Sequence, residues 1–394
     1  MKITATLSAY LAKRYVFNLL VLTAALLAII YLFDTVELIR RGSKHTDISM
    51  MLILQMGLLK LPEVGQILFP FAVLFSAMFT FWQLTRRYEL IVVRASGFSI
   101  WQFLLPVVAV GILFGLFQMM VINPIGAVFI GKFEDMERTY LKRQESQIAV
   151  FQEGLWLRQS IFIENETESS PDQPTIEGAT KENIPPKTEL ISGYIILHAQ
   201  NVKQPEWILN NITILFFANN NSFLQRIDAK TAKLNGKLWD LRDVTIHKYH
   251  SGAPVKQSTY ELPTTLTPQD IEESFSSPES MSFWKLPAYI NTLEQTGFDA
   301  TKLRVFYHNL LSQPLMFCAM ILLAATVSMR PPRSKGTFIM VAMGVLIGFI
   351  VFFLSSFLQA LGSSQQIPVI LAAWSPALIS FLLGLSVMMN IEDG

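Results

Sequence analysis

Five windows of this chain contain no Asp, Glu, Lys or Arg: residues 15 to 33, 64 to 85, 98 to 131, 305 to 329 and 336 to 391. A helix needs roughly 20 apolar residues to cross about 30 Å of hydrocarbon. The first four windows each fit one crossing, and the last is long enough for two, with LGSSQQIP (residues 361 to 368) as the turn, because Gly and Pro punctuate helices. The pattern predicts six spans, three before and three after a large central segment. A further apolar stretch, 48 to 61, runs into Pro62 and Glu63. It reads as the approach to the second span or its kinked first half, since proline disturbs a helix.

The central segment has a different period. GLWLRQSIFIE (154 to 164), GYIILHAQNV (193 to 202), NITILFF (211 to 217) and KLWDLRDVTIHKYH (237 to 250) alternate apolar and polar residues and are rich in Ile, Val, Trp and Tyr. This is the signature of antiparallel strands with one buried face. Residues 165 to 189, rich in Glu, Thr, Ser and Pro, read as a mobile loop inserted between strands, and a second Ser-, Pro- and acid-rich stretch at 263 to 282 leads back to the helices. The predicted domains are residues 1 to 131 with three spans, 132 to 303 with a β domain in a sandwich or open roll, and 304 to 394 with three more spans.

Composition agrees with a membrane protein: of 394 residues, 51% are hydrophobic and 15% charged. The formal net charge of +1 gives no global field for nucleic acid. Cys318 is the only cysteine, which excludes an internal disulfide and a Cys-based metal site. Lys2, Lys13 and Arg14 precede an apolar run that is too long for a signal peptide and has no small-residue cleavage site after it.

Short loops set the orientation. Lys2, Lys13, Arg14, Arg86, Arg87, Arg94, Arg330, Arg333 and Lys335 would share one side, nine cations against three (Arg40, Arg41 and Lys44) on the other. The positive-inside rule places both termini in the cytoplasm and the β domain outside. Arg40, Arg41 and Lys44 therefore stand at the outer end of span one, where clustered cations bind lipid phosphates or simply anchor the helix end. Glu37 and Asp34 are spaced to pair with them along the helix.

Other polar residues carry weaker signals. Lys60 and Glu63 share a helical face near the membrane boundary, which fits either a functional pair or an ion pair hydrating a kink. His308 has no acid within a helical turn and reads as a structural histidine. Gly111 with Gly115, and Gly344 with Gly348, allow close helix approach. Phe349, Phe352, Phe353 and Phe357 form a stripe that faces lipid, neighbouring helices or an acyl cavity. No nucleotide-binding G-x-x-x-x-G-K-[ST] loop and no G-x-S-x-G elbow occurs, and His247 with His250 lacks a third metal ligand. Energy for any transport must come from elsewhere.

The stretch RRYELIVVRASGFS (86 to 99) lies between spans two and three. It predicts a short helix over about 87 to 96, with Leu90, Ile91 and Val93 on its apolar side, Glu89 and Arg94 at its ends, and Gly97 as terminator. Such a helix either lies flat at the interface or is gripped by a separate ATPase.

Several segments carry a resemblance: ILFPFAVLFSAMFTFWQLTRRYELIVVRASGFS (67 to 99), LTPQDI (266 to 271) and SFWKLPAYINTLEQTGFDATKLRVFYHNLLSQPL (282 to 315), together with the six-span plan. In these the chain resembles the lipopolysaccharide export permeases of the LptF/LptG (YjgP/YjgQ) family, nearer its LptG branch. The resemblance implies a non-catalytic ABC-transporter half in the inner membrane, with a jelly-roll-like periplasmic β domain and no cofactor. It implies a second, LptF-like permease, an LptB-like cytoplasmic ATPase dimer, an LptC-like single-span bridge protein and an LptA-like periplasmic bridge as partners, with lipopolysaccharide as cargo. Arg86, Arg87, Glu89, Leu90, Arg94 and Gly97 would form the ATPase-coupling segment, with Glu89 matching the coupling glutamate. Arg40, Arg41 and Lys44 match the family's basic residues toward lipid phosphate. Tyr31 stands where some LptG proteins carry a deeper lysine, and with Gly344, Gly348, Phe349 and Phe353 it is a candidate for the acyl cavity or its gate. Three rivals remain. A lipoprotein-release permease usually has four spans and its large domain after the first, an envelope scaffold would need no coupling helix, and a secondary transporter would want intramembrane acids.

Overall fold

The computed structural model describes residues 5–43, 49–95, 99–142, 147–151, 154–165, 189–203, 206–218, 220–236, 238–248, 253–264, 277–329 and 336–393. The chain divides into a helical unit (Met1–Arg143, Ser276–Ile290 and Ala300–Gly394) and a sheet unit (Gln144–Phe275 and Asn291–Asp299).

The helical unit contains α1 (Ala5–Gly42), α2 (Met50–Arg86), α3 (Glu89–Ala95), α4 (Ile100–Phe117), α5 (Asn123–Met136), the start of α6 (Leu286–Gln295), α7 (Thr301–Ser328), α8 (Gly336–Ser363) and α9 (Val369–Asp393). Six runs among them are long and apolar enough to cross a membrane. The stretch before span two is the first half of α2, which begins at its N-cap Ser49 and continues through Pro62 and Pro70 without a break. Neighbouring helices allow proline inside a span by satisfying the backbone groups it frees. The third span continues from α4 through a π-helical turn (Gln118–Ile122) into α5, and then into a second π-helical turn (Glu137–Lys142).

Burial separates the spans into an inner and an outer set. The apolar window of α7 is 78% buried and that of α2 56%, against 11% for α1 and 17% for α8. The core is therefore built where α2 and α7 meet α4, around Phe81, Leu74, Phe317 and Ile321. Glycines set the close approaches there. A Cβ added at Gly115 would stand 2.6 Å from Cα of Pro314, and one at Gly111 would overlap Ile321. A smaller cluster of Leu38, Ile53, Met56 and Phe133 joins α1, α2 and α5.

Among the described residues the sheet unit is one antiparallel sheet of seven strands in chain order: β1 (Gln147–Phe151), β2 (Gly154–Asn165), β3 (Glu189–Lys203), β4 (Ile208–Ala218), β5 (Phe223–Asn235), β6 (Leu238–Lys248) and β7 (Val255–Pro263). Its register sets Leu157 opposite Leu197, Ile195 opposite Phe216, Ile214 opposite Ile227 and Ala232 opposite Leu241, all buried. One face is thus a continuous apolar layer, as period-two alternation requires. β1, β5 and β7 lie outside the runs picked out by alternation. β5 buries Ala229 and Ala232 along with Ile227 and Leu234, and β7 is almost wholly exposed, so neither shows a strong apolar rhythm. The insert after β2 (166 to 188), and LTPQDI, fall outside the described residues.

Candidate functional site

The segment between the second and third spans is described as far as Ala95. α2 ends where Arg87 N–H donates to Gln83 O (3.1 Å), and Tyr88 takes a left-handed conformation with φ of 60°. Bulky residues rarely occupy that region, so the chain turns sharply before α3 begins at Glu89. The helix expected over about 87 to 96 begins at Glu89 and is described over Glu89–Ala95, with residues 96 to 98 outside the described residues. Leu90 is 5% exposed and packs into the main core with Val93 beside it, while Val92 faces outward. Arg86 and Arg87 are exposed, and the Arg86 guanidinium lies 5.1 Å from the Trp82 ring centre. The side chains of Ile91 and Arg94, and all of Gly97, lie outside the described residues.

Glu89 already has partners in this chain. Its carboxylate accepts from Tyr10 Oη (3.1 Å) and stands 3.4 Å from Arg14 Nη1, both on α1. Being in the first turn of α3, it also faces the positive end of the helix dipole. Sequence reasoning used Arg14 only as an orientation charge; its place before the apolar run was the one available signal.

The opposite end of α1 carries the basic residues. Arg40 forms a two-pronged pair with Glu37 (Nε and Nη2, both 2.8 Å). Arg41 Nε donates to the same carboxylate at 2.9 Å, and its Nη1 lies 3.6 Å from Glu137. Lys60 of α2 reaches across to Asp34 of α1 at 3.6 Å. All of these groups except Arg40 border a cavity of about 250 Å³ whose lining holds six acids (Asp34, Glu37, Glu63, Glu134, Glu137 and Glu279) and two cations (Arg41 and Lys60). The basic end of α1 is thus surrounded by carboxylates, of which only Asp34 and Glu37 were visible as helical neighbours. Lys44 lies outside the described residues.

The remaining candidates divide. Tyr31 is turned toward α2: its hydroxyl donates to Leu54 O at 3.3 Å and its ring rests against Gly57. Gly348 packs on Phe71 and Leu74, with Cβ distances of 3.1 and 3.3 Å, and Gly344 packs on Met78, so both face α2. Phe352 contacts Phe71 at 5.7 Å on that same side. Phe349 and Phe353 face outward, 61% and 62% exposed, in a ladder with Phe357 at ring spacings of 6.4 and 6.2 Å. His308 sits against Tyr307. His247 lies 3.6 Å from Asp228, which Arg226 also pairs, and His250 is outside the described residues.

Sequence reasoning did not single out the amides inside the helical unit. Asn18 donates to Thr80 (2.8 Å), and Asn123 joins Gln66 (3.1 Å) to the backbone N–H of Phe283 (2.8 Å). Hydrogen bonds of this kind hold spans together where apolar burial has little to offer.

Comparison with known proteins supplies the lineage. The family model described as lipopolysaccharide export system permease LptF/LptG matches residues 9–390. The lipopolysaccharide export system permease protein LptG of Escherichia coli (strain K12) is 28% identical over 343 residues, covering 84% of each chain. The LptG protein of Haemophilus influenzae is 23% identical over 379 residues, covering 95% of each. With a match that runs through all six apolar helices and the sheet between them, the chain belongs to the LptF/LptG family of lipopolysaccharide export system permeases.

Proposed function

We propose that this chain is one permease half of an inner-membrane ABC transporter that extracts lipopolysaccharide and passes it, through its periplasmic β domain, to a bridge leading to the outer membrane. A related LptF-like permease would supply the other half, an LptB-like ATPase dimer the energy, and LptC-like and LptA-like proteins the onward path. The chain itself is then non-catalytic, with both termini in the cytoplasm. The observation that carries this reading is the Glu89 carboxylate, held on the first turn of a short helix between the second and third spans of a family member. A carboxylate there suits a cationic groove on the ATPase.

Selection of the lipid would fall to the outer end of α1. Acyl chains in a bilayer are already dry, so the usual gain of about 25 cal/mol per Å² of buried apolar surface favours no particular lipid. Phosphates distinguish this cargo, and Arg40 and Arg41 are the cations positioned to meet them after leaving Glu37. Closure driven by ATP must weaken those contacts for the lipid to leave, since a switch acts only through differential affinity.

The deciding experiment reconstitutes this chain, its partner permease and the ATPase in proteoliposomes and follows lipopolysaccharide release for wild type and Glu89→Ala. Release that requires ATP and falls in the variant, with the complex still assembled, is the expected result. An assembled complex that hydrolyses ATP without moving lipid would leave a scaffold, or a permease for another lipid, as the better reading.

A further inference from the structure

Arg14 is heavily engaged, and neither orientation nor cargo binding requires what it does. It sits near the start of α1 with only 14% of its side chain exposed. Its Nε donates to Gln83 Oε1 near the end of α2 (3.2 Å), and its Nη1 donates to Tyr10 Oη (2.6 Å). The same Nη1 stands 3.4 Å from both oxygens of Glu89 on α3. Tyr10 Oη in turn donates to Glu89 Oε2 at 3.1 Å. One guanidinium therefore holds three helices, and Glu89 is fixed from the α1 side by two groups.

Two further features give this joint a direction. The covalent link from α2 to α3 runs through Arg87 and the left-handed Tyr88, so the backbone joins α3 to α2 and not directly to α1. α1 itself has no proline and no glycine before Gly42, so it behaves as one rod, and little of its apolar window is packed. From Arg14 to Arg40 the rod spans about 39 Å at 1.5 Å per residue. The Arg14–Glu89 distance is also long for a charge-assisted bond, which is about 2.7–2.9 Å at its strongest. The carboxylate is held but remains available to a second cation.

We propose that Arg14, with Tyr10, is a positioning residue: it orients Glu89 toward the ATPase and carries the displacement of α3 into α1, whose far end holds Arg40 and Arg41. This rests on the coupling role proposed above for Glu89. Without Arg14, Glu89 would keep only its contact with Tyr10, beside the seating of Leu90 in the core, and a displacement of α3 would reach α1 less fully.

The test uses the full reconstituted complex and measures lipopolysaccharide released per ATP hydrolysed for wild type, Arg14→Gln, Arg14→Lys and Glu89→Ala. In Arg14→Gln the complex assembles and hydrolyses ATP, while lipid released per ATP falls by at least about fivefold, the lower end of ordinary coupling between sites. Arg14→Lys, which keeps the charge but cannot hold Gln83 and Glu89 together, lies between that value and wild type. An Arg14→Gln complex with wild-type release per ATP overturns the proposal. If Arg14→Gln does not assemble, Arg14→Lys decides: reduced release per ATP supports a coupling role, and wild-type release overturns it. A wild-type complex showing no ATP-dependent release would sink the transport reading itself, which is a different result from intact release with an indifferent Arg14.

Discussion

At the scale of single residues, the C-terminal end of α1 presents two guanidinium groups that share one carboxylate. Glu37 holds Arg40 and Arg41 together through contacts of 2.8 to 2.9 Å. Exposed pairs of this kind are weak, so a lipid phosphate, with more charge and more acceptor oxygens, can displace the carboxylate. On the proposed reading, Glu37 would set how readily the arginines are surrendered. Glu37→Gln is expected to raise the yield of photo-crosslinks between lipopolysaccharide and the end of α1 by about two- to fivefold, in line with the range for exposed pairs. Arg40→Gln with Arg41→Gln should lower it. Equal yields in all these variants would show that the arginines do not meet phosphate. A different balance applies in the sheet, where buried Thr264 Oγ1 donates to buried Gln159 Oε1 at 2.8 Å. Thr264→Val leaves that acceptor without this donor and should destabilise the sheet unit by about 1–3 kcal/mol, measured as a lower thermal midpoint. An unchanged midpoint would mean that water or another donor takes the place of the hydroxyl.

At the scale of elements, glycine decides how closely the inner spans approach. Gly115 faces the backbone of Pro314, which cannot move aside as a flexible side chain would. Gly115→Ala should therefore force α4 and α7 apart and cost about 1–3 kcal/mol, the usual range for overpacking. Gly131→Ala, with nothing within 4 Å, is the control that should show no loss. Thermal unfolding of the purified chain in detergent compares the two, and equal midpoints would remove the close-packing argument. These elements were largely legible in sequence because the bilayer imposes a simple rule: uncharged windows of spanning length became helices, and alternating runs became β2, β3, β4 and β6. β5 was less visible because it buries alanines, and β7 because it buries almost nothing. At the candidate sites, Glu89 and the Arg40–Arg41 pair were singled out from local pattern together with the family resemblance, and the pairing of Glu37 with both arginines followed from helical spacing. The approach of Arg14 to Glu89, of Lys60 to Asp34 and of Glu137 to Arg41 joins helices distant in the chain, and no local periodicity encodes such contacts.

At the scale of the whole molecule, the uneven burial of the spans is the strongest remaining clue to assembly. α2 and α7 are packed on most sides, whereas α1 and α8 leave long apolar faces uncovered. In a bilayer such faces contact either lipid or another protein, and hydrophobicity alone does not choose between them. The side-chain arrangement on α8 is more specific. Gly344, Gly348 and Phe352 are committed to α2, while Phe349, Phe353 and Phe357 form an outward ladder with nearly parallel rings. Rigid aromatic side chains lose little conformational freedom on docking and are favoured at the centres of interfaces. If α8 lines the joint with a second permease, the ladder should be shielded from lipid only when that permease is present. A fluorophore attached at Phe353→Cys, quenched by brominated lipids, reports this directly. The chain alone should quench strongly, and the complex with its partner permease should quench clearly less, while a fluorophore at Phe129→Cys, exposed on α5, serves as the lipid-facing reference. Equal quenching at position 353 with and without the partner would place the ladder toward bulk lipid, and α1 would then be the uncovered face left to form the joint.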